Sequence, residues 1–157
     1  MTFSCVRAVL LCIFALPSCA GRGEAPAEDR IPQGIAGTVR FHEGDFMPGP
    51  EARARGSMTP VRRELRIHHA AGQDSVVPAG EGGFFSRVLT PLAGTTVSDD
   101  SGRFAISLPP GRYSVFVVED SLLYANLFDG RGYVFPVTVL PDSVAHVRVD
   151  ITYRATY

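Results

Sequence analysis

The sequence predicts an all-β protein: a single Greek-key-like β-sandwich of about seven strands, carried behind an export signal and a flexible tether. Three observations carry that expectation. Apolar residues recur with a period of two in a series of short segments. Clusters of Gly, Pro, Asp and Ser interrupt those segments every ~8–12 residues. No stretch beyond the leader repeats its apolar positions at helical spacing.

The first element lies outside the sandwich. Arg7 is the only charge ahead of an apolar run from Ala8 to Leu16, too short to span a bilayer but as long as a signal-peptide core. The run ends in Leu16-Pro17-Ser18-Cys19, which resembles a bacterial lipobox, so 1–18 reads as a lipoprotein-type signal peptide and Cys19 as the lipidation site. Ser18-Cys19-Ala20 also satisfies ordinary small-x-small cleavage, and plain secretion is the alternative. Cys5, Cys12 and Cys19 all fall at or before the cleavage point. The mature domain therefore has no disulfide, thiol nucleophile or thiolate metal site. Residues 19–36 mix Gly, Pro and charge without periodicity and read as a tether holding the domain off a membrane. Ala20, where Asp would retain an enteric lipoprotein at the inner membrane, points by that resemblance to the outer membrane.

The domain proper, 37–157, opens with a strand over Gly37 to Phe41. A long loop is expected from His42 to Pro60, then a strand within Val61 to Ala70, where Leu65, Ile67 and His69 alternate with Arg66 and His68. A Gly/Asp/Pro loop follows to Gly83, and β character resumes from Phe84 to Leu92. Thr95 to Val97 leads into the stretch on which the rest is organised, VSDDSGRFAISLPPGRYSVFVV, read as strand, acidic turn, strand, Pro-Gly turn, strand. Pro110 presets φ for turn position i+1, and Gly111 can supply the positive φ of a type II turn, so the last two strands are expected to form a hairpin. Tyr113 to Val118 is apolar on both faces, as a central strand covered on both sides would be. Val134 to Leu140 is a further strand, with Pro136 marking an edge or bulge. Val144 to Tyr153 closes the domain, with Val147, Val149 and Ile151 against Arg148, Asp150 and Thr152.

Ser98, Asp99, Gly102 and Phe104, then Leu108, Pro109, Pro110, Gly111 and Tyr113, resemble the signature of the carboxypeptidase regulatory-like domain; Gly37-Thr38-Val39-Arg40-Phe41 resembles that family's first strand. The resemblance implies a transthyretin-like β-sandwich. It implies fold far more than activity.

Charge excludes one large class of partners. The 15 basic residues, all arginine, nearly balance 16 acidic ones, and a formal charge of −1 offers no basic field to nucleic acid. His68 and His69 are adjacent on a strand and point to opposite faces, and neither His42 nor His146 completes a metal-ligand spacing, so no metal or cofactor is expected. There is no G-x-S-x-G elbow, and the paired acids Asp99-Asp100 and Glu119-Asp120 sit in turns. The transthyretin-like fold also hosts 5-hydroxyisourate hydrolase. This chain shares that enzyme's C-terminal Tyr-Arg at Tyr153-Arg154 and then departs, and its N-terminal histidine motif has no counterpart around Val39 to His42.

The strongest candidate recognition site is the loop Leu122 to Tyr133, where Tyr124 and Phe128 stand beside Asn126, Asp129 and Arg131. The competing reading is that its apolar residues plug the core. A second candidate is the apolar stretch around Phe46-Met47-Pro48-Gly49-Pro50. The expectation is a non-enzymatic module at the bacterial envelope, anchored through Cys19, that binds or assembles with a protein or glycan partner. The rivals are a small hydrolase or metal-dependent enzyme on the same fold, and a purely structural accessory of an envelope complex. An enzyme should bring His42, His69 or His146 to a concave pocket with carboxylates, a binder should expose aromatics from Tyr124 to Arg131, and an accessory should present a flat apolar face or a bare sheet edge.

Overall fold

A computed structural model describes residues 31–47 and 56–157. The signal peptide, Cys19 and the Pro48–Gly49–Pro50 part of the second candidate lie outside the described residues. Among them the chain forms eleven strands and no α-helix. They are β1 (Gly34–Asp45), β2 (Ser57–Pro60), β3 (Glu64–His69), β4 (Val76–Pro78), β5 (Phe84–Val88), β6 (Leu92–Val97), β7 (Arg103–Ser107), β8 (Gly111–Glu119), β9 (Leu122–Tyr124), β10 (Pro136–Val139) and β11 (Val144–Thr156). The strands the sequence did not single out are β2, β4 and β9, whose three or four residues are too few to show an alternation, while β10 falls within the strand expected over Val134 to Leu140.

Two sheets pack face to face. In the four-stranded sheet β1 pairs in parallel with β11 on one side; on the other side its first half pairs with β7 and its second half with β2. The seven-stranded sheet runs β4-β5-β9-β8-β3-β6, with β10 sharing the β9 side of β8. Ile35, Val39, Phe104, Val149 and Ile151 from the first sheet meet Leu65, Ile67, Val115 and Val117 from the second in one core. Each such fully buried side chain contributes about 1.5–3 kcal/mol. β8 is buried on both faces from Tyr113 to Val117, as its sequence predicts. Phe116, on the other face of β8 from Val115, packs edge-on against Phe85 and His68.

The expected hairpin is not one. β7 pairs with β1 and β8 with β3, so Pro109-Pro110 is a corner at which the chain leaves one sheet for the other. Neither proline has an N–H for a ladder, and the Tyr113 hydroxyl takes the Pro109 carbonyl at 2.8 Å, the tyrosine-corner arrangement. Gly111 does not adopt positive φ; a Cβ there would stand 3.2 Å from the Tyr113 hydroxyl oxygen, so glycine makes room for the ring. The acidic turn is as expected. Asp99 Oδ1 accepts from the Ser101 and Arg103 amides, both at 2.9 Å, and Gly102 takes φ +75° where a Cβ would meet the Val39 carbonyl. The buried Ser98 hydroxyl accepts from the Arg63 amide and donates to the Val61 carbonyl, both at 2.8 Å.

Several boundaries move: β4 lies inside the loop expected to Gly83, β5 stops at Val88, β6 begins at Leu92, and β11 runs on to Thr156. Gly34–Ala36, expected in the tether, belong to β1, with Ile35 and Ala36 fully buried. The expected loop from His42 carries the end of β1 and then β2, which pairs back with His42 opposite Met58. Polar His42, Glu43 and Asp45 hide that extension from an apolar-period reading, because β11 and β2, not a buried face, hold it.

Candidate functional site

Side chains on strands alternate, and Val39 is in the core, so Arg40 and His42 project from the outer face of the four-stranded sheet. Asp150 stands opposite Arg40 in register, on the same face. A bulge after Phe41, where β11 carries an extra residue, brings the end of β11 across His42. The imidazole is thereby bracketed: Nε2 lies 3.1 Å from Asp150 Oδ1 and Nδ1 lies 2.7 Å from the Tyr157 hydroxyl. A carboxylate only accepts, so Nε2 carries a proton and donates to Asp150, while the Tyr157 hydroxyl is the partner of Nδ1. Phe46 stacks on the Tyr157 ring at 5.1 Å and helps bury His42. The Tyr157 hydroxyl is pushed above the ordinary tyrosine range, first by desolvation and then by the Asp150 charge, so it keeps its proton. Arg148 Nε donates to the second Asp150 oxygen at 2.8 Å.

These residues form one wall of a cleft of about 400 Å³ whose other wall is the segment after β9. Asn126, Leu127, Phe135 and Thr152 complete the lining. Thr152 joins the walls. Its amide donates to the Tyr124 hydroxyl at 3.0 Å, its own Oγ1 lies 3.0 Å from that hydroxyl, and Asn126 Nδ2 donates to Oγ1 at 2.8 Å.

The five residues of the expected recognition loop are thus divided. Tyr124 is not on a loop or exposed: it sits in β9, 1% accessible, in an aromatic cluster with Phe84 and Tyr153. Its side of β9 is fixed by pairing with Val117 of β8. Asn126 lines the cleft. Phe128 is exposed, beside the exposed Leu127. Asp129 is a turn residue: Oδ1 takes the Arg131 and Tyr133 amides at 2.9 Å, and these hydrogen bonds, that of Tyr133 foremost, hold its carboxyl below the ordinary range. Arg131 is exposed and faces a separate polar hollow with Gln73, Asp74 and Tyr133. His42, one of the histidines expected of an enzyme to meet carboxylates in a pocket, does so with Asp150, but neither Asp150 nor Tyr157 was singled out; they meet from β1 and the end of β11, and their only signal is that His42 and Asp150 occupy polar phases of apolar-alternating strands.

Of the other histidines, His146 is exposed on β11, and His68 and His69 are on β3. His68 is buried with Nδ1 2.8 Å from the Thr90 carbonyl, and burial pushes its pKa down. His69 is exposed and lies against Tyr113. Among the described residues no group of three His, Cys, Asp or Glu side chains is placed to hold a metal ion. No family model, curated protein or solved structure matches the chain.

Proposed function

We propose that this protein is an exported, lipid-anchored β-sandwich of carboxypeptidase regulatory-like type that acts as a non-enzymatic binding module at the bacterial envelope, with the cleft between β11 and the segment after β9 as its binding surface for a protein or glycan partner. The observation that carries the reading is the composition of that cleft. Hydrogen-bonding side chains already held in place by neighbours, Asn126, Arg148 and Thr152, converge beside Leu127, Phe135 and Tyr157. A few positioned polar groups among apolar ones are what ligand clefts supply, and preorganisation lowers the cost of binding. The anchor rests on the lipobox-like Leu16-Pro17-Ser18-Cys19 and on the tether that follows. Intact mass and membrane fractionation of the wild type beside Cys19→Ala test it. A mature chain beginning at an acylated Cys19, and a soluble variant, are expected; a soluble wild type beginning at Gly21 overturns the anchor.

One observation favours a second reading, a small hydrolase: Asp150, His42 and the Tyr157 hydroxyl stand in the order of an acid–base–hydroxyl relay. Against it, Tyr157 holds its proton more tightly than a free tyrosine, and Asp150 is the one carboxylate among the described residues lining the cleft. Turnover of a p-nitrophenyl ester that disappears in His42→Ala would establish the hydrolase; equal slow turnover by both proteins is the outcome expected of a binder.

A further inference from the structure

We infer that the cleft is built for a carboxylate, carried by a peptide or an acidic sugar, gripped by Arg148, Thr152 and Asn126. This rests on the binding reading above and names its ligand class. The inference follows from where each hydroxyl proton must go. Tyr124 is buried, and its hydroxyl oxygen accepts the Thr152 amide proton. The polar atoms bonded to that hydroxyl are the Thr152 nitrogen and Oγ1, and an amide N–H accepts nothing, so the Tyr124 proton goes to Oγ1. A buried hydroxyl without an acceptor is costly, which excludes the reverse orientation. Oγ1 also accepts from Asn126 Nδ2. With both lone pairs used, the Thr152 hydroxyl proton is left as a spare donor on a residue that lines the cleft.

Further unused donors stand beside it. Asn126 keeps a second N–H, and Arg148, bound to Asp150 through Nε, keeps the N–H groups at the end of its guanidinium. The charged acceptor is engaged, since Asp150 Oδ1 faces His42 and Oδ2 faces Arg148, and the donors left over outnumber the one neutral side-chain acceptor beside them, Asn126 Oδ1. A cleft with spare donors wants an acceptor-rich ligand. Arg148 and Asp150 offset each other in charge, so a group with one negative charge fits where a doubly charged phosphate would crowd Asp150. A planar two-oxygen acceptor matches a guanidinium edge and one or two neutral donors. Leu127, Phe135 and the exposed Tyr157 ring give its carbon body an apolar seat.

The test is an amide NMR titration of the mature exported protein with four probes: acetyl-Leu-Ala-Ala as free acid and as amide, and glucuronic acid beside glucose. The acids are expected to shift Asn126, Arg148 and Thr152 and to bind about tenfold or more tightly than their neutral counterparts. Arg148→Met, at an exposed side chain, should erase that preference while leaving a dispersed spectrum; Thr152→Val should reduce it about three- to tenfold. The acid that binds more tightly identifies the source of the carboxylate. Equal binding of acid and amide, or of glucuronic acid and glucose, at the cleft would leave the binding module standing and overturn the carboxylate. No shift at these three residues with either acid up to about 10 mM overturns it as well, and the fractionation experiment then judges the anchored module separately.

Discussion

Two places in this molecule are built from the same three kinds of group, a tyrosine hydroxyl, a carboxylate and a basic side chain, and they differ in what surrounds them. At one, Glu119 at the end of β8 receives Arg63 and the Tyr153 hydroxyl, the latter at 2.7 Å. At the other, Asp150 receives His42 and Arg148, and Tyr157 closes on the far side of the imidazole. The first cluster links the two sheets: Arg63 and Glu119 belong to the side of the seven-stranded sheet and Tyr153 to β11. Glu119 is 7% accessible, and every group in the cluster is turned toward another. The second lies on the outer face of one sheet, leaves Arg148 two-thirds exposed and borders an open cleft. Like chemistry serves as a clamp where it is enclosed and as a presenting surface where donors are left over. Desolvation and the buried Glu119 together push the Tyr153 hydroxyl up to about 12, whereas Tyr157 is raised chiefly by its own desolvation.

Removal of the enclosed carboxylate should cost the fold most. Glu119→Ala strands Arg63 and the Tyr153 hydroxyl and should cost about 2–4 kcal/mol, read as a lowered denaturant midpoint; a cost below about 0.5 kcal/mol would mean the clamp holds nothing. Tyr124→Phe removes the group that ties the core to the cleft wall and leaves the Thr152 amide without its partner. The expected cost is about 1–2 kcal/mol, with altered amide shifts at Asn126 and Thr152.

The clamp also predicts an alkaline limit. The Tyr153 pKa is raised in the folded state, so the stability it lends is complete below its unfolded pKa of about 10 and is lost as pH rises toward about 12. Tyr153→Phe should flatten unfolding midpoints measured between those values. At the acid end the sign reverses. Burial lowers the His68 pKa, so its contribution is present above the unfolded value of about 6.5 and fades as pH falls through the folded one; His68→Gln should lessen the loss of stability between about pH 7 and 5.

Much of the sandwich was legible because it is local; the clamp was not, since its hydrogen bonds span 56 and 34 residues and Glu119, expected in a turn, ends β8. The alternation of Phe104 and Leu108, the Asp99–Gly102 turn and the two apolar faces of β8 are written in consecutive residues, and each takes the conformation its spacing implies. What the chain order could not convey is who pairs with whom. β7 and β8 adjoin in sequence but lie in different sheets, because β1 offers β7 an open side and β3 offers one to β8. The cleft is harder still. His42 and Asp150 are separated by 108 residues and meet through the parallel pairing of β1 with β11, a contact no local pattern encodes. Tyr124 reads as part of a recognition loop because its neighbours include Asn126, Asp129 and Arg131, yet pairing of β9 with β8 turns it inward.

The cleft's polar side chains are displayed for a ligand, while those of the clamp hold the fold. The most direct measurement is the unfolding free energy of the double variant Arg148→Met/Asn126→Ala beside the wild type. Side chains displayed for binding contribute little to folding, and the account predicts a difference within about 0.5 kcal/mol. A loss of about 2 kcal/mol or more, comparable with Glu119→Ala, would make the cleft a second structural clamp and contradict the account.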